Sequence, residues 1–413
     1  MFSINELETI DIIDFGEFIL SIIHDFMNNN PLIISDPKYE TIIHEEVFEI
    51  VKNSYNSTVV EEISELISQN ITNYFQTVGV LRSYPTSIII TTPDVEKLTT
   101  KLTYLQNVPQ PAQKEDEWYL FRWNHLTASS IWKALEKSQC KQNELILNKC
   151  EPINLAKKKS ININSPFHHG HKYEPLSTIF YEKMYNTKIG EFGCIKHKTI
   201  EYLAASPDGI NIKKNNSRYG RLLEIKNIVN REINGRPKKE YWTQMQMQME
   251  CCDLDECDFL ETRFKEYESE DDFEKDGSFT FTKEGKAKGI IVCFYTQNGP
   301  LYKYSPFQCS KEKYEKWYDN CIEENNNLTW VRNIFWYLDE HSCVLVTRNK
   351  NWFNSANPTF KKIWEIILKE RTSGYEHRKP KKRIKKKSDP NLKNVVIKIR
   401  TQSFDNSQLI EPN

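Results

Sequence analysis

Between Thr41 and Phe75 the chain reads TIIHEEVFEIVKNSYNSTVVEEISELISQNITNYF, and Ile43, Val47, Ile50 and Val51 recur at the three- and four-residue spacing of a helix. Residues 1–110 continue in this way, with polar breaks between helical-period segments, so a mainly helical N-terminal region is expected. SIIITT near Ile88 is a strand candidate, and NVPQPAQKEDE, from Asn107 to Glu117, has the proline and charge of a linker. From Trp118 the texture changes. The helical patterns TASSIWKALEKS and HKYEPLSTIFYEKMY are followed by short strand candidates EFGCIKHK, YLAASPDG, RLLEIKN, DFLETRF and GIIVCFYT, with the helix KKEYWTQMQMQMECC between the third and the fourth. Helices alternating with such strands predict an α/β fold with a mixed central sheet flanked by helices. A strand, SCVLVTR, and a helix, FKKIWEIILKE, come later. The expected organisation is a helical region over 1–110, an α/β domain over 111–330, an accessory segment over 331–371 and a basic, disordered tail over 372–413.

One strand carries chemistry. Side chains alternate faces along a strand, so in RLLEIKN Glu224 and Lys226 share one face while Leu223 and Ile225 take the other. Asp208 lies in the Pro-Asp-Gly turn of the preceding strand. If the two strands pair as a hairpin, the Asp208 and Glu224 carboxylates converge within reach of one cation. Two carboxylates and a backbone carbonyl are hard oxygen donors, suited to Mg²⁺ or Mn²⁺ rather than zinc. A lysine beside them can assist the attacking water or stabilise charge on a phosphate. Taken alone, Asp-Gly marks a turn and a Glu-x-Lys pair marks a solvated strand face. Company is what changes that reading.

The ordered runs H-G-H-K-Y-E ending at Glu174, A-S-P-D-G with Asp208, L-E-I-K with Glu224 and Lys226, and Y-W-T-Q-M-Q with Gln244 resemble the YqaJ viral recombinase family. That family belongs to the lambda-exonuclease type of alkaline nuclease within the PD-(D/E)XK superfamily, whose core is restriction-endonuclease-like. Upstream, R-W-N-H-L-T-A-S from Arg122 to Ser129 is similar to the motif with which such exonucleases hold a terminal 5′-phosphate. The resemblance spans about residues 118 to 320.

It implies that Asp208, Glu224 and the Ile225 carbonyl bind Mg²⁺, with Mn²⁺ as a substitute, and that Glu174 assists from its helix. Lys226 is then the catalytic base or electrostatic stabiliser, and Gln244 positions site water or lysine. Arg122 and Ser129 would grip a phosphate, with Ser130, Lys133 and Lys137 as further DNA contacts; the lambda-type enzymes carry another basic residue after Thr-Ala-Ser, for which Lys133 and Lys137 are the nearest candidates here. Gln244 and Gln248, four apart beside Met245 and Met249, also fit an ordinary amphipathic helix. Gln246 and Gln248 are therefore read as structural. The implied activity is 5′-to-3′ exonuclease action on double-stranded DNA in viral recombination, repair or genome processing. A structure-specific endonuclease with the same site and a non-catalytic DNA-binding protein are the alternatives. A single-strand annealing protein and a homo-oligomer are the implied partners, and the host cytoplasm, the nucleus or the virion the implied locations of a large DNA virus protein.

Composition adds limits. The formal net charge of −1 gives no overall preference for nucleic acid, but charge is uneven: residues 253–276 are strongly acidic, and HRKPKKRIKKK from His377 to Lys387 is densely basic. The acidic stretch is expected in a solvent loop away from DNA, and the basic run reads as an import signal, a DNA-binding arm or a solvated tail. The ten cysteines include no C-x-x-C pair, which favours reduced thiols over a disulfide framework, zinc site or iron–sulfur cluster. His168, His169 and His171 lack further ligands at zinc spacing. With no leader pattern and no apolar run near the ~20 residues that span a bilayer, a soluble intracellular protein is expected.

Overall fold

Helical periodicity in the N-terminal region becomes α1 (Thr9–Asn29), α2 (Tyr39–Ser54), α3 (Val60–Thr77) and α4 (Val95–Asn107) in the computed structural model. The structure describes residues 9–54, 60–88, 92–111, 115–155, 163, 165–297 and 299–380. The heart of the SIIITT strand candidate, part of the linker and the basic run from Lys381 onward lie outside the described residues. In α2, Ile43, Val47 and Val51 are fully buried, whereas Ile50, at the margin of that stripe, is 43% exposed. The Asp94 side chain accepts the Lys97 N–H at 3.0 Å and starts α4 by satisfying one of its open donors.

The sheet is built from β1 (Tyr84–Pro85), β3 (Ile189–Gly190), β6 (Gly209–Asn211), β7 (Leu222–Asn227), β8 (Glu256–Glu266), β9 (Lys288–Thr296), β10 (Gly299–Tyr304) and β11 (Thr329–Thr347). Its order is β10-β9-β11-β8-β7-β6-β3, with β1 pairing to β11. β7 and β8 are parallel and the other pairings antiparallel. The sheet is therefore mixed and flanked by helices, as expected. A smaller sheet joins β2 (Leu126–Thr127), β4 (Ile195–Lys196) and β5 (Leu203–Ala205), with β5 in the middle. The remaining helices are α5 (Asp116–Trp123), α6 (Ala128–Ile131), α7 (Gln139–Cys150), α8 (Pro166–Met184), α9 (Lys239–Cys252), α10 (Glu270–Lys275), α11 (Lys311–Glu324) and α12 (Lys350–Ser373). Among the described residues no helix is long and apolar enough to cross a membrane.

A parallel pair cannot be closed by a tight turn, so the chain leaves β7, crosses the sheet as α9 and returns as β8. Nearly every side chain of α9 from Trp242 to Cys252 is buried by this crossover. One apolar cluster runs without interruption from Ile19 and Phe75 through Trp242 and Met245 to Trp352 and Phe360. The N-terminal helices thus share their core with the α/β part.

Three expectations change. The boundary at 330/331 falls inside β11, which lies between β9 and β8 in the sheet, so the segment after it is integral rather than accessory. α12 runs to Ser373, and a 3₁₀ turn follows at Glu376–Arg378, so the described chain is helical beyond 372. The acidic stretch is not a solvent loop throughout. Residues 256–266 are the interior strand β8, and only α10 and its flanks are largely exposed.

The acids of β8 are tolerated because cations meet them. Asp258, with no exposure, takes hydrogen bonds from Arg218, from Arg221 at 3.0 Å and from Tyr181; Arg221 also holds Glu256, and Arg231 pairs with Glu261. Arg218 further donates to Thr86 Oγ1 at 2.8 Å and stacks 3.6 Å from the Tyr185 ring centroid, which ties the segment after β1 into the core. Removing the shared acid would strand both guanidiniums. Asp258→Ala is therefore expected to cost roughly 3–5 kcal/mol of stability, read as a lowered urea midpoint with an unchanged slope.

Candidate active site

Asp208 and Glu224 are brought together by register. Gly209 pairs with Leu223 in the antiparallel β6–β7 hairpin, so the residue before Gly209 faces Glu224 across the ladder, and opposite residues project to the same side. The connection turns at Gly220, whose φ of +80° suits glycine. A side chain at Gly209 would run into Ile189 of β3, so the position after Asp208 must stay small.

Beyond this short pairing the β7 edge is open, and Asp208 uses it: the Ile225 N–H donates to Asp208 Oδ2 at 2.7 Å. In a strand the N–H and C=O of one residue point to the same edge, so the Ile225 carbonyl also faces the Asp208 side. Glu224 is wholly buried, with Lys226 Nζ donating to Oε1 and Gln248 Nε2 donating to Oε2 at 2.6 Å.

Electrostatics follow from this crowding. Burial, and then the adjacent Glu224 charge, push the Asp208 carboxyl well above its ordinary range; Lys226 opposes this and Glu174 adds to it. Burial alone would lower the Lys226 ammonium, but Glu224 and Asp208 outweigh it and hold the pKa above the usual lysine value. Lys226 also lies 5.0 Å from the Tyr241 ring centroid. It is held as a cation, which fits a stabiliser of negative charge better than a base.

Glu174 reaches the site from α8. Phe167, His171 and Glu174 fall on one helix face, with the first two rings 4.5 Å apart and His171 Nδ1 3.9 Å from Glu174 Oε2. Phe167 is 76% exposed at the outer end of this ridge. The neighbouring histidines diverge, His168 bonding the Tyr302 hydroxyl at 2.8 Å and His169 packing on Tyr173. Among the described residues no group of three or more His, Cys, Asp or Glu side chains forms a metal cage by itself. At the hairpin two carboxylates and a backbone carbonyl lie together, hard oxygen donors that would leave part of a cation's shell to water.

The glutamines of α9 divide their work differently from the expectation. Gln248, with no exposure, bridges Glu224 and the Ser206 carbonyl (3.0 Å), so it meets the candidate site and not only the core. Its Oε1 is buried without a hydrogen-bond partner. Gln246 is structural, donating to the Thr347 carbonyl at 2.9 Å and accepting the Asn349 N–H at 2.7 Å. Gln244 is half-buried one turn before Gln248 and makes no hydrogen bond to the acids or Lys226 among the described residues. The signal for Gln248 was present as its four-residue spacing from Gln244; what the sequence lacked was the depth at which α9 crosses β7.

The upstream motif arrives by the smaller sheet. Thr127 pairs with Ala204, and β5 leads directly to Ser206 and Asp208, so the Arg122-to-Ser129 segment lies beside the acidic site. Arg122 Nη2 donates to Ser129 Oγ at 3.1 Å, and its guanidinium lies 4.5 Å from the Trp118 ring centroid. Among the described residues it has no carboxylate partner, and burial lowers its pKa. Of the further contacts expected, Ser130 bonds back to Thr127 at 3.3 Å, Lys133 is spent on Glu144 at 2.7 Å, and Lys137 is exposed.

Comparison with known proteins bears on these same residues. The chain is 32% identical over 311 residues to uncharacterized protein R354 of Acanthamoeba polyphaga mimivirus, an alignment that covers 65% of this chain and 55% of that protein. The chain thus spans about half the length of that relative. Among solved structures, one of LHK-Exo in complex with dAMP is similar at TM-score 0.36 and 20% identity, covering 62% of this chain and 94% of that one. A second, of an alkaline exonuclease (LHK-Exo) from Laribacter hongkongensis, gives TM-score 0.35 with the same identity and coverage. Residues 117–255 match the model of the YqaJ-like viral recombinase domain, and the stretch they delimit holds Arg122, Ser129, Glu174, Asp208, Glu224, Lys226 and the glutamine helix.

Proposed function

We propose that the protein is a divalent-metal-dependent deoxyribonuclease that degrades double-stranded DNA from its ends in the 5′-to-3′ direction, in viral recombination, repair or genome processing. The observation that carries this reading is the convergence of Asp208, the Ile225 backbone and the buried Glu224–Lys226 pair at the open end of the β6–β7 hairpin. Asp208, Glu224 and the Ile225 carbonyl would hold Mg²⁺, or Mn²⁺ in its place, with Glu174 nearby. A cation there supplies Lewis acidity to a phosphoryl oxygen and acidity to water. Lys226, fixed by Glu224, places positive charge beside the scissile phosphate, where negative charge grows during hydrolysis.

End recognition falls to the Arg122–Ser129 pair. A guanidinium with no carboxylate partner, steadied by a tryptophan face and a hydroxyl, suits a terminal phosphate because its planar fork can donate two hydrogen bonds. The exposed Phe167 ridge would meet the unstacked terminal base next to the site. Such an enzyme reads backbone and ends rather than base edges, as a sequence-neutral exonuclease requires. A partner annealing protein and a homo-oligomer belong to the same proposal.

Linear duplexes labelled at either strand end, with and without a 5′-phosphate, and a closed circular duplex test it in Mg²⁺. Release of 5′-terminal nucleotides first, with the circle intact, is the expected result; nicking or linearisation of the circle would favour the endonuclease reading instead. Asp208→Asn and Glu224→Gln should each lower the rate about 100-fold or more while leaving DNA retention in a gel-shift assay near that of the parent. Gln248→Leu should raise the Mg²⁺ concentration for half-maximal rate about tenfold, because an outer hydrogen bond that orients a ligand is lost. Gln244→Leu, which breaks no bond to Glu224, should lower the rate without moving that concentration.

A further inference from the structure

The end of α5 is held by cations. The last carbonyls of a helix have no partner within it, and this short helix carries the Arg122 side chain on its final turn. Lys149 Nζ donates to the Arg122 carbonyl, and Arg371 Nη2 donates to the Trp123 carbonyl at 2.8 Å. Arg371 also donates through Nε to the Lys149 carbonyl at 2.9 Å and through Nη1 to Asn124 Oδ1 at 3.3 Å. Its guanidinium lies 3.6 Å from the centroid of the Trp123 ring. Every nitrogen of that guanidinium thus goes to α5, to the residue that caps it, or to the end of α7 which holds α5 in turn. Among the described residues Arg371 has no salt-bridge partner, although it sits on the last turn of α12, outside the YqaJ-like segment.

We infer that Arg371 is a positioning residue for the terminal-phosphate grip: by clamping the Trp123 and Lys149 carbonyls it fixes the C-terminal turn of α5, and with it the direction in which Arg122 presents its guanidinium. The inference rests on the proposed role of Arg122. A planar fork suits the task because it bonds three acceptors in fixed relative directions while its face stacks on the indole; a lysine could make one of those bonds at a time. Two positive groups at the C-terminal end of α5 also agree in sign with the helix dipole. The far end of the chain is in this way made part of substrate recognition. Loosening the clamp should blur selection of the end while leaving the Asp208–Glu224 chemistry untouched, since Arg371 bonds none of its residues.

The test compares kcat/KM on linear duplexes bearing a 5′-phosphate with those bearing a 5′-hydroxyl, using the full chain in Mg²⁺ and recording thermal midpoints in parallel. The parent should prefer the phosphate, and Arg122→Ala should abolish the preference. Arg371→Ala should cut it by roughly ten- to a hundredfold through the phosphorylated substrate alone, as expected for a misplaced contact, with the rate on hydroxyl ends unchanged. Arg371→Lys keeps the charge and the α12 packing but not the fork; it should also lose preference, to a smaller extent, and it carries the test should the alanine chain not fold. Full preference in a folded Arg371 variant, or an equal loss of rate on both substrates, overturns the inference. Absence of any preference in the parent, or its survival in Arg122→Ala, instead shows that the terminal-phosphate reading itself is wrong.

Discussion

A carboxylate removed from water must be met by hydrogen-bond donors or positive charge, and Glu224 is removed from it completely. Much of the local architecture answers that demand. Its two oxygens are taken by Lys226 from the same strand and Gln248 from the crossover helix, so the parallel β7–β8 pair, which needs such a crossover, is also what supplies the second donor. Asp208 then approaches from β6 through the Ile225 N–H rather than through any side chain. The hairpin, the crossover and the buried charge depend on one another. Gly209, which must stay small against Ile189, lets β3 pack on the other edge of the short β6.

Much of this was legible from residue order, and the reasons are local. Glu224 and Lys226 share a face because strand side chains alternate, and Asp208 comes opposite Glu224 because a Pro-Asp-Gly turn feeds a strand that pairs back; neither needs knowledge of distant packing. What failed required such knowledge. The acidic stretch looked like a solvated loop because its charges were counted without the arginines that meet them, which lie in the β6–β7 connection at Arg218 and Arg221 and after β7 at Arg231. β11 was seen only in its last third, since TWVRNIFWYLDEH mixes charge with aromatics and bends at bulges after Trp330 and Leu338. Gln248 was set aside because periodicity shows a helix's buried face but not which neighbour that face meets.

The smaller sheet explains how a motif near residue 122 can serve a site near residue 208. β2 pairs in parallel with β5, and β5 runs straight into the turn that carries Asp208. The connection between the Arg122 segment and the acidic centre is thus a short step of hydrogen-bonded backbone. Arg371 and Lys149 reinforce it from the opposite side by holding the last carbonyls of α5. The α12 helix thus bonds to the end of α5 as well as contributing to the core.

Two buried acidic centres lie at adjacent ladder positions on opposite faces of this sheet, and they are compensated differently. Asp258 on β8 pairs with Leu223 in the ladder, one residue from the partner of Glu224, yet it is answered by two guanidiniums and a phenol. Such compensation is what a structural charge requires. Asp208 and Glu224 present two carboxylates with a third, Glu174, near enough to raise the Asp208 pKa, and the ammonium of Lys226 is already bonded to Glu224. Leaving the hairpin short of positive charge is costly in the absence of a ligand, and the divalent cation proposed for it would offset that cost with its own charge. The same shortage would favour a cation over a fixed side chain for a second reason: held by Asp208 and Glu224, it would supply Lewis acidity to a phosphoryl oxygen, which a salt bridge cannot.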